Sequence, residues 1–358
     1  MNSKKCISFL LVGGGWRAEF YLRIATRMPS RYKISAIYCE NSELRSRYEQ
    51  MGFDCFDNLQ SALTYAAFSF VVVCVNRFAT QDIIYQLSKK EYPILTETPI
   101  ATSLENLQSF YQTFKGNTNI QVAEQYHLRP DQQARNRIIE SGIIGNPQQA
   151  TISLTNNYHA ISLIKFFLKT HSFPESISAQ RFVLKGLPGF GRNGISTDTT
   201  LHEYEETLAA ITFKDKIGLY NFEQDQHRSF IRTQQIQIKG TSGVIDNNLV
   251  KYLNGNNESV ISEIQRINTG ENENMEGTGL KEILFEGKII YKNPFPNIQL
   301  SDDEIAVAAL LKEMYSFCNG GNSVYSLKDA AEDFYLTLKI EDAVKLKKLL
   351  FLNKQIWN

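Results

Sequence analysis

Between residues 7 and 123 the chain alternates short apolar runs with longer amphipathic stretches. Ile7 to Val12 is nearly continuous in apolar residues, as expected of a central strand buried on both faces. Ala18, Tyr21 or Leu22, Ala25 and Met28 then recur at helical spacing until Pro29 stops the helix. Strand-like runs follow at Lys33 to Cys39, Phe68 to Val75, Ile94-Leu95 and Ile120 to Ala123, with helix-like segments between them. Thr102-Ser103-Leu104-Glu105 has the form of a capping box at the start of one such helix. Strands alternating with helices imply right-handed crossovers and a doubly wound parallel sheet, an α/β fold.

After residue 145 the pattern changes. Gln149 to Leu154, Glu206 to Phe213, Ile217 to Phe222 and Thr233 to Lys239 are strand-like and separated by turn-rich segments. Two helices finish the chain. One opens with a second capping box, Ser301-Asp302-Asp303-Glu304; the other runs from about Leu327 with Ala330, Phe334, Leu338 and Ile340 to Ala343 on one side. Asn254 to Gly279, rich in Asn, Gly and Glu, reads as a mobile loop.

A length of 358 residues suits two domains. With 38 basic and 38 acidic side chains there is no positive surplus to hold nucleic acid or an anionic membrane. The longest apolar run, Phe70 to Val75, is far short of the ~20 residues that span a bilayer. Cys6, Cys39, Cys55, Cys74 and Cys318 include no C-x-x-C pair, and Met1 to Lys5 leads into a strand without a secretory leader. Both features suit a soluble cytoplasmic protein with reduced thiols.

Gly13-Gly14-Gly15-Trp16-Arg17-Ala18 is a G-x-G-x-x-A between a strand and a helix, with the acidic Glu40 about twenty positions on. Alone, such a motif can be an ordinary turn; in this context it reads as a dinucleotide site. Gly13 permits the tight turn, Gly15 admits a pyrophosphate, Ala18 allows close packing, and the helix N-terminus receives the phosphate charge. Glu40 would bind the ribose hydroxyls and repel a 2′-phosphate, favouring NAD over NADP, unless Asn41 or Ser42 takes that role.

Tyr92-Pro93-Ile94-Leu95-Thr96-Glu97-Thr98-Pro99-Ile100-Ala101 resembles the "cEKPla" signature of the Gfo/Idh/MocA oxidoreductases, the family of glucose–fructose oxidoreductase and inositol dehydrogenase. Glu124-Gln125 after the last strand, the Pro130 to Gly142 helix, the helix from His159 to Leu168, and Ile238-Lys239-Gly240-Thr241-Ser242-Gly243 match further family features in the right order. The resemblance implies a Rossmann domain over residues 1–125. It also implies, over 126–358, an α+β domain with an open, mostly antiparallel sheet that closes over the nicotinamide and forms homo-dimers or tetramers. The implied reaction is hydride transfer between NAD(H) and a sugar, cyclitol or related small molecule.

In this family the lysine of E-K-P and a D-x-x-x-H pair handle the proton. Here Glu97-Thr98-Pro99 and Thr155-Asn156-Asn157-Tyr158-His159 keep only His159. An imidazole suits acid–base work, so His159 is the candidate proton carrier, against the alternative of a helix cap; Tyr158 is a second donor or a pocket wall. Gly13, Gly15, Trp16, Arg17 and Glu40 would hold the cofactor, with Asn76, Glu97 and Thr98 along the nicotinamide. Gln125, His127 and Asn157 are candidate substrate contacts, and Lys165 or Lys185 could replace the missing lysine. Gln224 to Arg232 reads as a charged hairpin or an anion-binding segment, and His202 as part of a solvated edge. No spacing suggests a metal site or a serine nucleophile. Loss of the lysine also fits a dinucleotide or metabolite sensor, or an accessory subunit, on the same fold; an enzyme must leave room for substrate beside the nicotinamide.

Overall fold

The computed structural model describes residues 6–191, 194, 196–271 and 273–358; Met1 to Lys5, read above for a leader, lie outside them. The N-terminal unit is built from β1 (Ile7–Val12), α1 (Ala18–Arg27), β2 (Tyr32–Tyr38), α2 (Ser42–Gln50), β3 (Cys55–Phe56), α3 (Leu59–Tyr65), β4 (Phe70–Val73), α4 (Thr80–Ser88), β5 (Ile94–Thr96), α5 (Leu104–Phe114) and β6 (Ile120–Val122). Its six strands pair in parallel in the order β3-β2-β1-β4-β5-β6. The order reverses between β1 and β4, and Val12 lies level with both Tyr38 and Val73. A ligand crevice is expected at that point, outside the carboxyl ends of the strands. Phe9, Leu10, Leu11 and Val12 are fully buried, with Phe9 stacked on Phe70 at 5.8 Å, which explains the unbroken apolar run.

The strand expected at Phe68 to Val75 is shorter, leaving Cys74 and Val75 beyond its end, and β3 adds a two-residue edge. The expected capping box at Thr102 is displaced by one residue. Ser103 is the cap, its hydroxyl accepting from the Asn106 N–H, because the helix starts at Leu104.

Beyond residue 126 the chain forms α6 (Pro130–Glu140), β7 (Pro147–Ser153), α7 (Asn157–Leu168), β8 (Ser176–Gly186), β9 (His202–Thr212), β10 (Ile217–Glu223), β11 (Gln235–Gly240), β12 (Gly243–Asp246), β13 (Leu249–Leu253) and β14 (Ser259–Glu263). Then come β15 (Gln265–Glu271), β16 (Asn274–Phe285), β17 (Lys288–Lys292), α8 (Asp302–Cys318), α9 (Leu327–Leu346) and β18 (Leu350–Phe351). A nine-stranded sheet has the order β14-β13-β12-β11-β7-β10-β9-β8-β18, antiparallel apart from the β7–β10 pair, and β15 to β17 form a separate three-stranded sheet. Helix α7 packs on β7 and β10, and α9 on β8 and on α7. The other sheet face is open, with Phe182, Leu184 and Leu208 exposed.

Asn254 to Gly279 is not the loop expected from its composition. Apart from residue 272, which is outside the described residues, it supplies β14, β15 and the start of β16. β14 alternates exposed and half-buried positions, and β15 pairs with β16 from Gln265↔Leu284 to Glu271↔Asn274. A strand solvated on one face needs apolar residues only at alternate positions, so Asn, Gly and Glu hid the period of two. The Ser301 box is present: its hydroxyl accepts from the Glu304 N–H at 3.2 Å, and the Glu304 carboxylate accepts from the Ser301 N–H at 2.8 Å.

Candidate active site

The loop from β1 to α1 carries the glycine motif. Gly13 has φ +119°, and a Cβ there would lie 2.5 Å from the carbonyl oxygen of Cys74. A Cβ on Gly15 would meet nothing within 4 Å. No side chain caps the first turn of α1, where the Ala18 N–H bonds to the Gly15 carbonyl at 2.9 Å and the Phe20 N–H to that of Arg17 at 3.2 Å. Glu40 follows β2 and accepts a hydrogen bond from the Tyr38 hydroxyl at 2.5 Å. Asn41 is occupied capping α2 through the Leu44 N–H, and Arg45 donates to the carbonyls of Cys39 and Glu40.

These groups open onto a cleft of about 970 Å³ between the carboxyl ends of the parallel strands and the C-terminal elements. Deep in it, the Glu97 carboxylate accepts from Arg17 Nε at 2.7 Å and from the Tyr21 hydroxyl at 2.5 Å. Next to Glu97, the Thr98 hydroxyl pairs with the Tyr158 phenol. Burial pushes that phenol up to about 12, only partly countered by Thr98, so Tyr158 stays a neutral donor.

His159, in the first turn of α7, lies with Nδ1 2.6 Å from Glu124 Oε2. Glu124 is 2% exposed, and its other oxygen accepts the Tyr126 N–H at 3.1 Å. The rings of Tyr126 and Tyr158 flank the imidazole at 4.6 and 4.5 Å. A buried carboxylate on Nδ1–H leaves Nε2 as the nitrogen that can exchange a proton with a ligand.

The cleft therefore brings together Gly13, Gly15, Trp16, Arg17 and Glu40 with Asn76, Glu97 and Thr98, and adds Gln125, Tyr158 and His159 from the junction of the two units. Gln125 is buried and its Oε1 has no partner among the described residues. His127 and Asn157 do not line the cleft. The His127 ring packs against Phe166 and Tyr325, where burial lowers its pKa, and Asn157 holds a left-handed turn (φ +54°) with its N–H on the Tyr220 hydroxyl. The even spacing of polar residues after β6 hides which of them turn inward. His202 pairs with Asp198 on an exposed strand end. Lys165 is held by Asp333 at 2.7 Å and Glu332 at 3.1 Å, and neither it nor Lys185 lines the cleft. From the 224–232 segment, His227 and Arg228 do line it, whereas Arg232 binds Glu223. Sequence reasoning did not assign Glu124, Tyr126 or Asp303 to the site. An acidic residue just past a buried strand was the available signal for Glu124.

A glycine loop at the switch point of a parallel sheet, facing a cleft walled by a second, antiparallel unit, defines a two-domain dinucleotide-dependent fold. Residues 7–126 match the Gfo/Idh/MocA oxidoreductase family, described as having an NAD-binding Rossmann fold. No curated relative matches the chain by sequence. The whole chain is similar to solved structures. An oxidoreductase from Agrobacterium radiobacter, in complex with NAD+, L-tartaric acid and magnesium, is 15% identical with a TM-score of 0.70, covering 97% of this chain and 98% of that one. A levoglucosan dehydrogenase in complex with NADH and levoglucosan is 15% identical with a TM-score of 0.67, over 98% and 100% of the chains. A myo-inositol dehydrogenase from Corynebacterium glutamicum is 13% identical with a TM-score of 0.66, over 98% and 100%. At these identities the likeness shows a shared fold.

Proposed function

We propose that the protein is an NAD(H)-dependent oxidoreductase acting on the alcohol/carbonyl pair of a sugar, cyclitol or similar polyhydroxylated compound. The observation that carries this reading is the Glu124–His159 pair, which shares one cleft with the glycine loop. The residues fit the dinucleotide: the space beyond Gly15 is open, no side chain covers the start of α1, and Gln125 presents a buried oxygen without a partner among the described residues. Gly13, Gly15, Trp16 and Glu40 hold the cofactor, Arg17 borders it, and Asn76, Glu97 and Thr98 follow the nicotinamide side.

When bound, the nicotinamide supplies the hydride donor or acceptor. His159 takes the substrate hydroxyl proton at Nε2 and returns it in the reverse direction, while Glu124 fixes the ring and stabilises the imidazolium. Tyr158 donates to a substrate oxygen, and Gln125 orients the substrate. The volume of about 970 Å³ is near the upper end of ordinary ligand pockets, ~300–1,000 Å³, which supports room for a second molecule beside a cofactor. The exposed Phe182, Leu184 and Leu208 support self-association through the open sheet, and the five free cysteines support a cytoplasmic setting.

Thr98 favours a second reading, a dinucleotide or metabolite sensor or accessory subunit, because a hydroxyl cannot replace an ammonium. Titration with NADH and NADPH by nicotinamide fluorescence, followed by turnover assays with myo-inositol, levoglucosan and L-sorbose, separates the two. Turnover supports the enzyme, and tight NADH binding with no turnover of this panel moves the weight to the sensor. Failure to bind either nucleotide overturns the oxidoreductase and the dinucleotide sensor together. His159→Ala should lower turnover by about 10²–10⁴.

A further inference from the structure

Thr98 leaves the cleft without the ammonium that E-K-P supplies in related enzymes. Among the described residues no lysine lines the cleft; apart from its histidines, the cations that do are Arg17, Arg23 and Arg228. Arg23 is 41% exposed and sits on Glu304, and Arg228 is bound to Asp225 three residues before it. Arg17 differs from both. Its side chain is 12% exposed, Nε is fixed on Glu97 at 2.7 Å, and Nη2 is buried with no hydrogen-bond partner among the described residues.

A guanidinium has five N–H donors in a rigid fork, so binding one edge to Glu97 leaves others aimed elsewhere. A buried charged donor left unpaired is costly and calls for a partner that the protein itself does not provide. Burial alone disfavours this cation, but the Glu97 carboxylate and the Tyr21 phenol more than offset that, so it remains charged. The Phe20 ring lies 4.9 Å from the guanidinium carbon and restrains its plane. A continuous set of contacts links Arg17 to the proton carrier: Glu97 adjoins Thr98, Thr98 pairs with Tyr158, and the Tyr158 ring lies 4.5 Å from His159.

We propose that Arg17 is a catalytic residue that supplies the fixed positive charge missing at Thr98, its guanidinium donating to the reacting oxygen of the substrate. The inference rests on the oxidoreductase reading above. The substrate O–H bond breaks towards His159, whose Nε2 lone pair takes the proton. The electron pair left on oxygen is the charge that the guanidinium stabilises. In the reverse direction the same donor polarises the carbonyl oxygen.

The test uses full-length Arg17→Ala and Arg17→Lys, with two readouts: the dissociation constant for NADH, by nicotinamide fluorescence, and kcat for whichever of myo-inositol, levoglucosan and L-sorbose the wild type turns over. Arg17→Ala should lose about 10²–10³ in kcat at saturating NADH, the value of one oxyanion donor, a loss well beyond any it causes in NADH affinity. Added guanidinium ion should restore part of that kcat, and Arg17→Ala combined with Thr98→Lys should recover at least about tenfold over Arg17→Ala. A kcat within about threefold of wild type, or a loss of NADH affinity that matches the loss of kcat with no guanidinium rescue, overturns the proposal while leaving the oxidoreductase reading standing. A wild type that binds NADH and turns over none of the panel removes the oxidoreductase reading and this inference together.

Discussion

The His159 imidazole is tied at 2.6 Å to the Glu124 carboxylate, two side chains presented by different units of the fold. Glu124 follows the last strand of the parallel sheet, and His159 starts the helix that packs on β7 and β10. The bond therefore fixes the ring relative to the glycine loop as well as relative to its own helix. Glu124 is itself held by the Tyr126 N–H, so it cannot swing away without losing a second bond. Tyr126 and Tyr158 close the two sides of the ring, leaving Nε2 as the route for a proton.

Glu124→Gln tests that geometry. A glutamine fills the same volume but can present its NH2 to Nδ1, selecting the tautomer whose proton sits on Nε2 and cannot be replaced by one from substrate. The expected result is a fall in kcat of about 10²–10³ with NADH affinity unchanged, read by steady-state turnover and fluorescence titration. Equal losses in both would assign Glu124 to holding the fold at the domain junction.

Gly13 and Gly15 make opposite predictions from one motif. Gly13→Ala places a methyl 2.5 Å from a backbone oxygen at φ +119°, so the loop must move and the variant should lose about 1–3 kcal/mol in urea denaturation. Gly15→Ala meets nothing within 4 Å and should unfold like wild type. Its methyl enters the cleft, and NADH affinity should fall by about tenfold or more. A Gly15→Ala variant with unchanged NADH affinity would move the pyrophosphate away from this loop.

How far the sequence could be read depended on whether each signal was local. Unbroken apolar runs such as Ile7 to Val12 and the box at Ser301 announce themselves, because a doubly buried strand and a reciprocal cap need particular residues in a few consecutive positions. The glycine loop was legible for the same reason. The Asn254 to Gly279 strands were not, since half-solvated strands tolerate polar residues at every second place. Partnerships across the chain were also hidden. Glu124 with His159, Arg17 with Glu97 and Lys165 with Asp333 are each set by packing between distant segments. That is why Lys165 looked available to the cleft and Glu124 was left unassigned.

Lys165 is committed to stability. It joins α7 to Asp333 of α9, a fully enclosed carboxylate that also accepts from the Tyr325 hydroxyl. Burial raises the Asp333 pKa to about 6, with Lys165 and Tyr325 offsetting only part of that. A raised native pKa means the folded chain binds the proton more tightly than the unfolded one. The group's stabilisation is then full below about pH 4 and lost as pH rises through about 6. Lys165→Met removes the attraction, so the carboxylate climbs further and the deficit against wild type must grow with pH. The expected loss is about 3–5 kcal/mol near about pH 8 and less near about pH 5, by denaturant unfolding of both proteins. A deficit independent of pH would show that Asp333 is not the charge left uncompensated.

Cofactor choice should turn on Glu40. Its carboxylate stands just past β2, beside the cleft, accepting from the Tyr38 phenol, which burial and then Glu40 itself push up to about 12 and so keep a donor. Asn41, the nearest alternative, is occupied at the start of α2. A carboxylate in that place accepts from ribose hydroxyls and repels a 2′-phosphate. Glu40→Gln keeps the size and removes the charge, and Arg45, already on the carbonyls of Cys39 and Glu40, supplies a cation close by. The ratio of NADPH to NADH dissociation constants should therefore fall by on the order of tenfold, mainly through tighter NADPH binding. An unchanged ratio would mean that the carboxylate does not face the ribose, and that discrimination lies with the backbone around Asn41 and Ser42.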